Sequence, residues 1–170
     1  MRKLLDALYD GAAWLAALFM VALLVAVLTS ILGRELNFHV RGTDAYAGYF
    51  MAAAGFLALA HTLKRGEHIR VTLLLSAVPA GLRRALEIWS HGVAVVMSSV
   101  LAFYACRLAW QSRVFYDIST GNDATPLWLP QLGMALGTVI LAIAFVDELV
   151  LVLQRRRRAL PADGEFTRNE

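Results

Sequence analysis

Few side chains in this sequence could do chemistry, and histidine leads them. The chain has four histidines and one cysteine in 170 residues. Two histidines at similar depth on facing helices would hold a b-type haem in a membrane. His61 and His91 are the pair to weigh. His61 falls in the last turn of one apolar run and His91 about six residues into the next, so at ~1.5 Å per residue their depths differ by several ångströms. His39 lies in a polar connection and His68 in a basic stretch. Cys106 has no partner for an internal disulfide, which excludes a thiol–disulfide exchanger. Proton-coupled transport by the chain itself would need an acid buried mid-span. Asp147 and Glu148 interrupt an apolar run only near its end, within two turns of Arg155, Arg156, Arg157 and Arg158, and read as interfacial. Gly-rich phosphate loops, HExxH, CxxC and nucleophile elbows are all missing from the sequence. The expectation is a non-enzymatic chain with no catalytic, cofactor-binding or metal site of its own.

The elements that must position these groups are long apolar runs. Hydrophobic residues make up 59% of the chain and charged ones only 17%, against about a quarter charged in soluble domains. The net charge of +3 does not point to nucleic acid, because Lys and Arg cluster at the ends of the apolar runs. Arg2 and Lys3 precede the first run, 11–32, which is long enough to cross a bilayer at about 20 residues per span. A signal peptide shares this basic start. The run is too long for a signal core, however, and Gly33-Arg34-Glu35 is no small-residue cleavage site, so a retained helix is expected. Gly42-Thr43-Asp44 provides a turn and N-cap for the second run, 45–63. The third run is 85–110 and the fourth 128–153, the latter entered through Pro126 and Pro130. Gly48, Ala52 and Gly55 in the second run, and Gly133 and Gly137 in the fourth, have the small-residue spacing that lets helix backbones approach in lipid.

Between the second and third runs lies Lys64 to Arg84, with an apolar centre of about ten residues, too short to span. Val71, Leu74, Leu75 and Val78 share one helical face, and His68, Thr72 and Ser76 share another. Residues 66–80 are therefore read as an amphipathic helix lying in the membrane interface. An ordinary basic loop is the alternative. Basic residues set the orientation. Arg2, Lys3, Lys64, Arg65, Arg70, Arg83, Arg84 and Arg155 to Arg158 fall on one side, and only Arg34, Arg41 and Arg113 on the other. The first side is expected to be cytoplasmic. The sequence thus predicts an all-α membrane protein: a short cytoplasmic N-terminus (1–10), a single four-helix membrane domain (11–154) with a short amphipathic interfacial helix, and a basic, then disordered, cytoplasmic tail (155–170).

A bundle with packing motifs, basic anchors and no evident reaction centre is most often a subunit of something larger. Gly33-Arg34 closes the first span, His68-Ile69-Arg70-Val71 is followed by Leu73-Leu74, and Pro79-Ala80-Gly81-Leu82-Arg83-Arg84 precedes the third span. The sequence from Pro126 to Gln131 opens the last helix, with Gly137 beyond it. Together these resemble the small membrane subunit of tripartite ATP-independent periplasmic (TRAP) transporters, the DctQ-like family. The resemblance implies a bacterial inner-membrane protein that braces a large permease subunit and helps dock a periplasmic substrate-binding protein. Uptake of an organic acid would be driven by a sodium gradient that the partner subunit uses, with no cofactor on this chain. His68, Ile69, Arg70, Val71, Leu74, Gly48, Ala52, Gly55, Gly133 and Gly137 are then candidates for the scaffold interface. Arg34, Arg41, Arg113, Asp117 and Asp123 are docking candidates. Lys64, Arg65, Arg83, Arg84, Arg155 and Arg156 would anchor the chain to cytoplasmic lipid headgroups. The competing reading is a membrane redox anchor that binds a b-type haem through His61 and His91.

Overall fold

The computed structural model describes residues 2–38, 40–65 and 79–154. Four helices account for nearly all of them: α1 (Arg2–Glu35), α2 (Thr43–Arg65), α3 (Ala80–Val114) and α4 (Trp128–Leu153). Each is long and apolar enough to cross a membrane. The chain is an all-α, multi-pass membrane protein. α4 keeps the bounds read from the sequence. α1 and α3 are longer than their apolar runs, at 34 and 35 residues, or roughly 50 Å against a hydrocarbon core of about 30 Å. They continue as helix through charged residues. Arg83 and Arg84 accordingly ride on the first turns of α3, where Arg83 pairs with Glu87 one turn on, at 3.4 Å. Most of the expected amphipathic segment, including His68, Ile69, Arg70, Val71 and Leu74, lies outside the described residues, as do His39 and the tail from Arg155.

The helices form two antiparallel hairpins. α1 and α2 meet along their length, from the Asp6–Lys64 ion pair at 2.6 Å, through Phe19 and Phe50, to Ser30 and Asp44. α3 and α4 are joined by the turn at 115–127 and pack together. The hairpins are held to each other by α2 and α4, which run parallel. The packing order is α1–α2–α4–α3, with α1 and α4 only brushing. The bundle is therefore an open layer in which each outer helix leans on one inner helix.

The α2–α4 seam is built from backbone proximity. A side-chain carbon added at Gly133 would lie 2.7 Å from Ala53 Cβ, and one at Gly137 only 2.5 Å from the Phe56 carbonyl carbon. Ala53, Ala54, Leu57 and Ala60 of α2 and Ala135, Ile140, Leu141 and Ala144 of α4 are buried along or beside this seam. In lipid, where the surroundings are as apolar as the side chains, such close packing is what drives helix association. Gly48, Ala52 and Gly55 take no part in it. They are exposed on the outer side of α2, and a carbon added at Gly48 or Gly55 would meet nothing within 4 Å. Among the described residues they therefore play no part in packing within the bundle.

Two substitutions separate these glycines. Gly137→Ala drives a methyl group into the Phe56 backbone and is expected to cost about 1–3 kcal/mol, the range for overpacking a tight contact. Gly55→Ala should leave the isolated subunit as stable as the original. Thermal unfolding in detergent, followed by circular dichroism, reads both.

Candidate interaction site

The chemistry-bearing side chains gather at the two ends of the layer. At the loop end, α1 finishes on Asn37 in the left-handed region (φ 61°), with Phe38 N–H donating to the Gly33 carbonyl at 3.0 Å. This arrangement closes a helix while satisfying its last carbonyls. The turn into α2 passes through Gly42 (φ 82°), packed so closely on the loop between α3 and α4 that an added carbon would lie 2.7 Å from Asp123 Cβ. Only glycine combines that φ with that approach.

Asp123 is the hub of this end. Tyr49 of α2 sends its hydroxyl to Asp123 Oδ2 (3.1 Å) and to Ser119 Oγ (3.0 Å), and Ser119 donates to Asp123 Oδ1 at 2.8 Å. Thr125 Oγ1 donates to the Tyr46 hydroxyl at 3.1 Å. The loop is also pinned to itself, by Ser119 N–H to the Thr125 carbonyl (2.9 Å) and Leu127 N–H to the Asp117 carbonyl (3.0 Å). Hydrogen bonding from Thr125, with Ser119 and Tyr49 adding to it, pulls the Asp123 carboxyl down to about 2, because donors favour the ionised form. Sequence reading placed Asp123 among groups offered to a partner, but its oxygens are occupied within the chain. It shapes the loop that presents its neighbours. Tyr46, Tyr49, Ser119 and Thr125 were not singled out from the sequence. The available signal was a pair of tyrosines three residues apart at the start of a span, and nothing local tied them to a loop some 70 residues away.

The other docking candidates sit around this hub. Arg34, Arg41, Arg113 and Asp117 are exposed. Arg34 reaches Ser30 Oγ at 3.3 Å, and Ser30 donates in turn to Asp44 at 3.0 Å. Arg113 lies over the Trp128 ring, 5.5 Å from its centroid, a cation–π contact that fixes the guanidinium and leaves its charge outward.

At the opposite end, Lys64 joins Asp6 and lies 5.4 Å above the Tyr9 ring. Tyr9 is 1% exposed. Asp10 lies 3.5 Å from His61 Nδ1, an ionic approach longer than a good hydrogen bond. Asp147 and Glu148 are half-buried near the end of α4, and Arg65 and Arg84 are exposed. The haem alternative finds no support in this geometry. His61 and His91 stand on α2 and α3, which pack on α4 rather than on each other.

The Asp123 latch has a pH signature. A carboxylate held below its ordinary 3.8 contributes stability above that value and loses it as pH falls toward about 2. Protection of the Ser119 and Leu127 amides, taken relative to intrinsic exchange at each pH, should therefore hold down to about pH 4 and fall between there and about pH 2. Asp123→Asn should show low protection throughout, without that fall.

No curated protein was found that matches the chain. The family model described as "Tripartite ATP-independent periplasmic transporters, DctQ component" matches residues 23–155, which takes in α2, α3, α4, the latch and the last turns of α1. With four membrane-crossing helices in that order, the chain belongs to the DctQ component family of tripartite ATP-independent periplasmic transporters.

Proposed function

We propose that this small TRAP membrane subunit works as a passive support. It holds the large permease subunit in the bilayer and offers its loop end to the periplasmic substrate-binding protein. The loop end then faces the periplasm, and the basic end, with Lys64, Arg65, Arg83 and Arg84, faces the cytoplasm of a bacterial inner membrane, as the distribution of basic residues favours. The substrate is an organic acid, and the permease subunit draws on the sodium gradient. This chain supplies placement, not a path for solute.

The observation that carries this reading is the uncovered face of α2. The layer is open, its inner helix presents Gly48, Ala52 and Gly55 outward with nothing against the glycines, and its charged groups lie toward the two ends. A smooth glycine–alanine strip is poor at filling contacts with lipid tails and good at receiving a helix. An open layer with a strip of this kind suits a brace against a partner and encloses no polar passage among the described residues.

The test pairs two substitutions with two readouts. Gly48→Leu with Gly55→Leu should leave the purified subunit folded, since both positions open into free space, yet reduce co-purification with the large permease and ion-driven uptake in proteoliposomes at least several-fold. Unchanged association would remove the strip from the interface. Solute uptake by liposomes holding this chain alone would overturn the support role itself.

A further inference from the structure

The turn that ends α3 breaks a local rule. Asp117 N–H donates to the Ser112 carbonyl at 3.0 Å and Phe115 N–H to the Gln111 carbonyl at 2.9 Å. This closes the helix on a residue in the left-handed region, and that residue is Tyr116, at φ 57°. Glycine, or sometimes asparagine, normally stands there, because a side chain at positive φ is strained, most of all a bulky one. α1 closes in the same way with Asn37. Among the described residues nothing covers Tyr116 in exchange. It is 85% exposed, and its neighbours Phe115 and Ile118 are 71% and 58% exposed. A residue that is costly to its own backbone and yet unburied signals a use outside the fold.

Its position narrows that use. Trp110 of α3 is 66% exposed, and an indole ring at a span's end belongs at the headgroup level. That level would leave Phe115 and Tyr116, more than a helical turn farther along, toward the aqueous side. The turn is also rigidly mounted. Arg113 on one flank is stacked on Trp128, and the strand-like contact from Ile118 to Pro126 ties the other flank to the Asp123 latch. A pair of aromatic side chains on a stiff mount, edged by the charges of Arg113 and Asp117, has the make-up of an interface anchor: an aromatic centre within a polar rim.

We propose that Phe115 and Tyr116 are the anchor by which this subunit engages its soluble partner, inserting into an apolar socket ringed by polar groups on the periplasmic binding protein. The proposal rests on the docking role given above and assigns its centre. Arg113 and Asp117 orient the encounter, and the aromatic pair carries the affinity. Tyr49, through Asp123 and Ser119, is a positioning residue for the anchor.

The experiment uses the complete two-subunit membrane complex in nanodiscs and its purified soluble binding protein, with binding read by biolayer interferometry. Phe115→Ala with Tyr116→Ala should weaken binding by about tenfold or more, mainly through faster dissociation. Tyr116→Gly relieves the backbone and keeps the fold, so weaker binding by a variant at least as thermally stable excludes misfolding as the cause. Tyr49→Phe should weaken binding less, while uptake at saturating binding protein stays near the original. Unaltered affinity in the double variant, with the unmodified complex binding normally, overturns the anchor and leaves docking standing. No binding by the unmodified complex overturns the docking role instead. A Tyr116→Cys variant on a Cys106→Ala background, labelled with a thiol-reactive fluorophore and quenched by brominated lipid, places the turn in the membrane and also overturns the anchor.

Discussion

The seam between α2 and α4 is the contact on which the rest of the molecule depends. With Gly137 set against the Phe56 backbone and Gly133 against Ala53, two helices come together closely enough to hold two hairpins as one body. α1 is attached through α2, and α3 through α4. In a bilayer this attachment draws little from expulsion of water. It comes from backbone proximity and van der Waals contact, and both are lost when a side chain is inserted. Every other feature inherits its position from that contact.

What the seam positions is a set of faces and ends. Apolar side chains on α1, such as Leu18, Val21, Leu24 and Val25, and on α3, such as Val96, Met97 and Phe103, stay exposed, as suits contact with acyl chains or a neighbouring subunit. The outer face of α2 presents small residues. Charged groups sit at the two ends, where water and headgroups can solvate them, while mid-span Ser98 and Thr138 bond to carbonyls of their own helices. The Asp6–Lys64 pair, partly exposed on both sides, adds at most about 1 kcal/mol. It serves better as a register mark between α1 and α2 than as a source of stability. At the loop end, Tyr49 of α2 ties the first hairpin to Ser119 and Asp123 of the loop in the second, so the surface offered to a partner is held as one piece.

Much of this was legible in the sequence, for physical reasons. A span of about 20 apolar residues leaves an unmistakable mark, and the Gly133-x-x-x-Gly137 spacing pointed to a real contact. Helix ends were less legible, because α1 and α3 run on through charged residues that hydropathy excludes, supported by pairs such as Arg83 with Glu87. The packing face of α2 was not legible. Gly48, Ala52 and Gly55 on one side and Ala53, Ala54 and Ala60 on the other are all small and apolar. Without the polar–apolar contrast that water imposes, periodicity cannot tell which side meets a neighbour. The latch depended on contacts between Tyr49 and residues 70 and 74 positions away, beyond the reach of any local pattern. The positive φ of Tyr116 had no signature at all, since tyrosine is not a residue that announces such a turn.

Cysteine cross-linking in native membranes, on a Cys106→Ala background, reads the order of the helices directly. Ala60→Cys on α2 can be paired with Leu141→Cys on α4, its neighbour in the same buried cluster, or with Ser98→Cys on α3. A disulfide needs Cβ atoms about 3.5–4.5 Å apart. Mild oxidation is expected to join residues 60 and 141 rapidly and to leave 60 and 98 unlinked. A link between 60 and 98, with 60 and 141 remaining free, would contradict the α2–α4 seam and the open layer built on it.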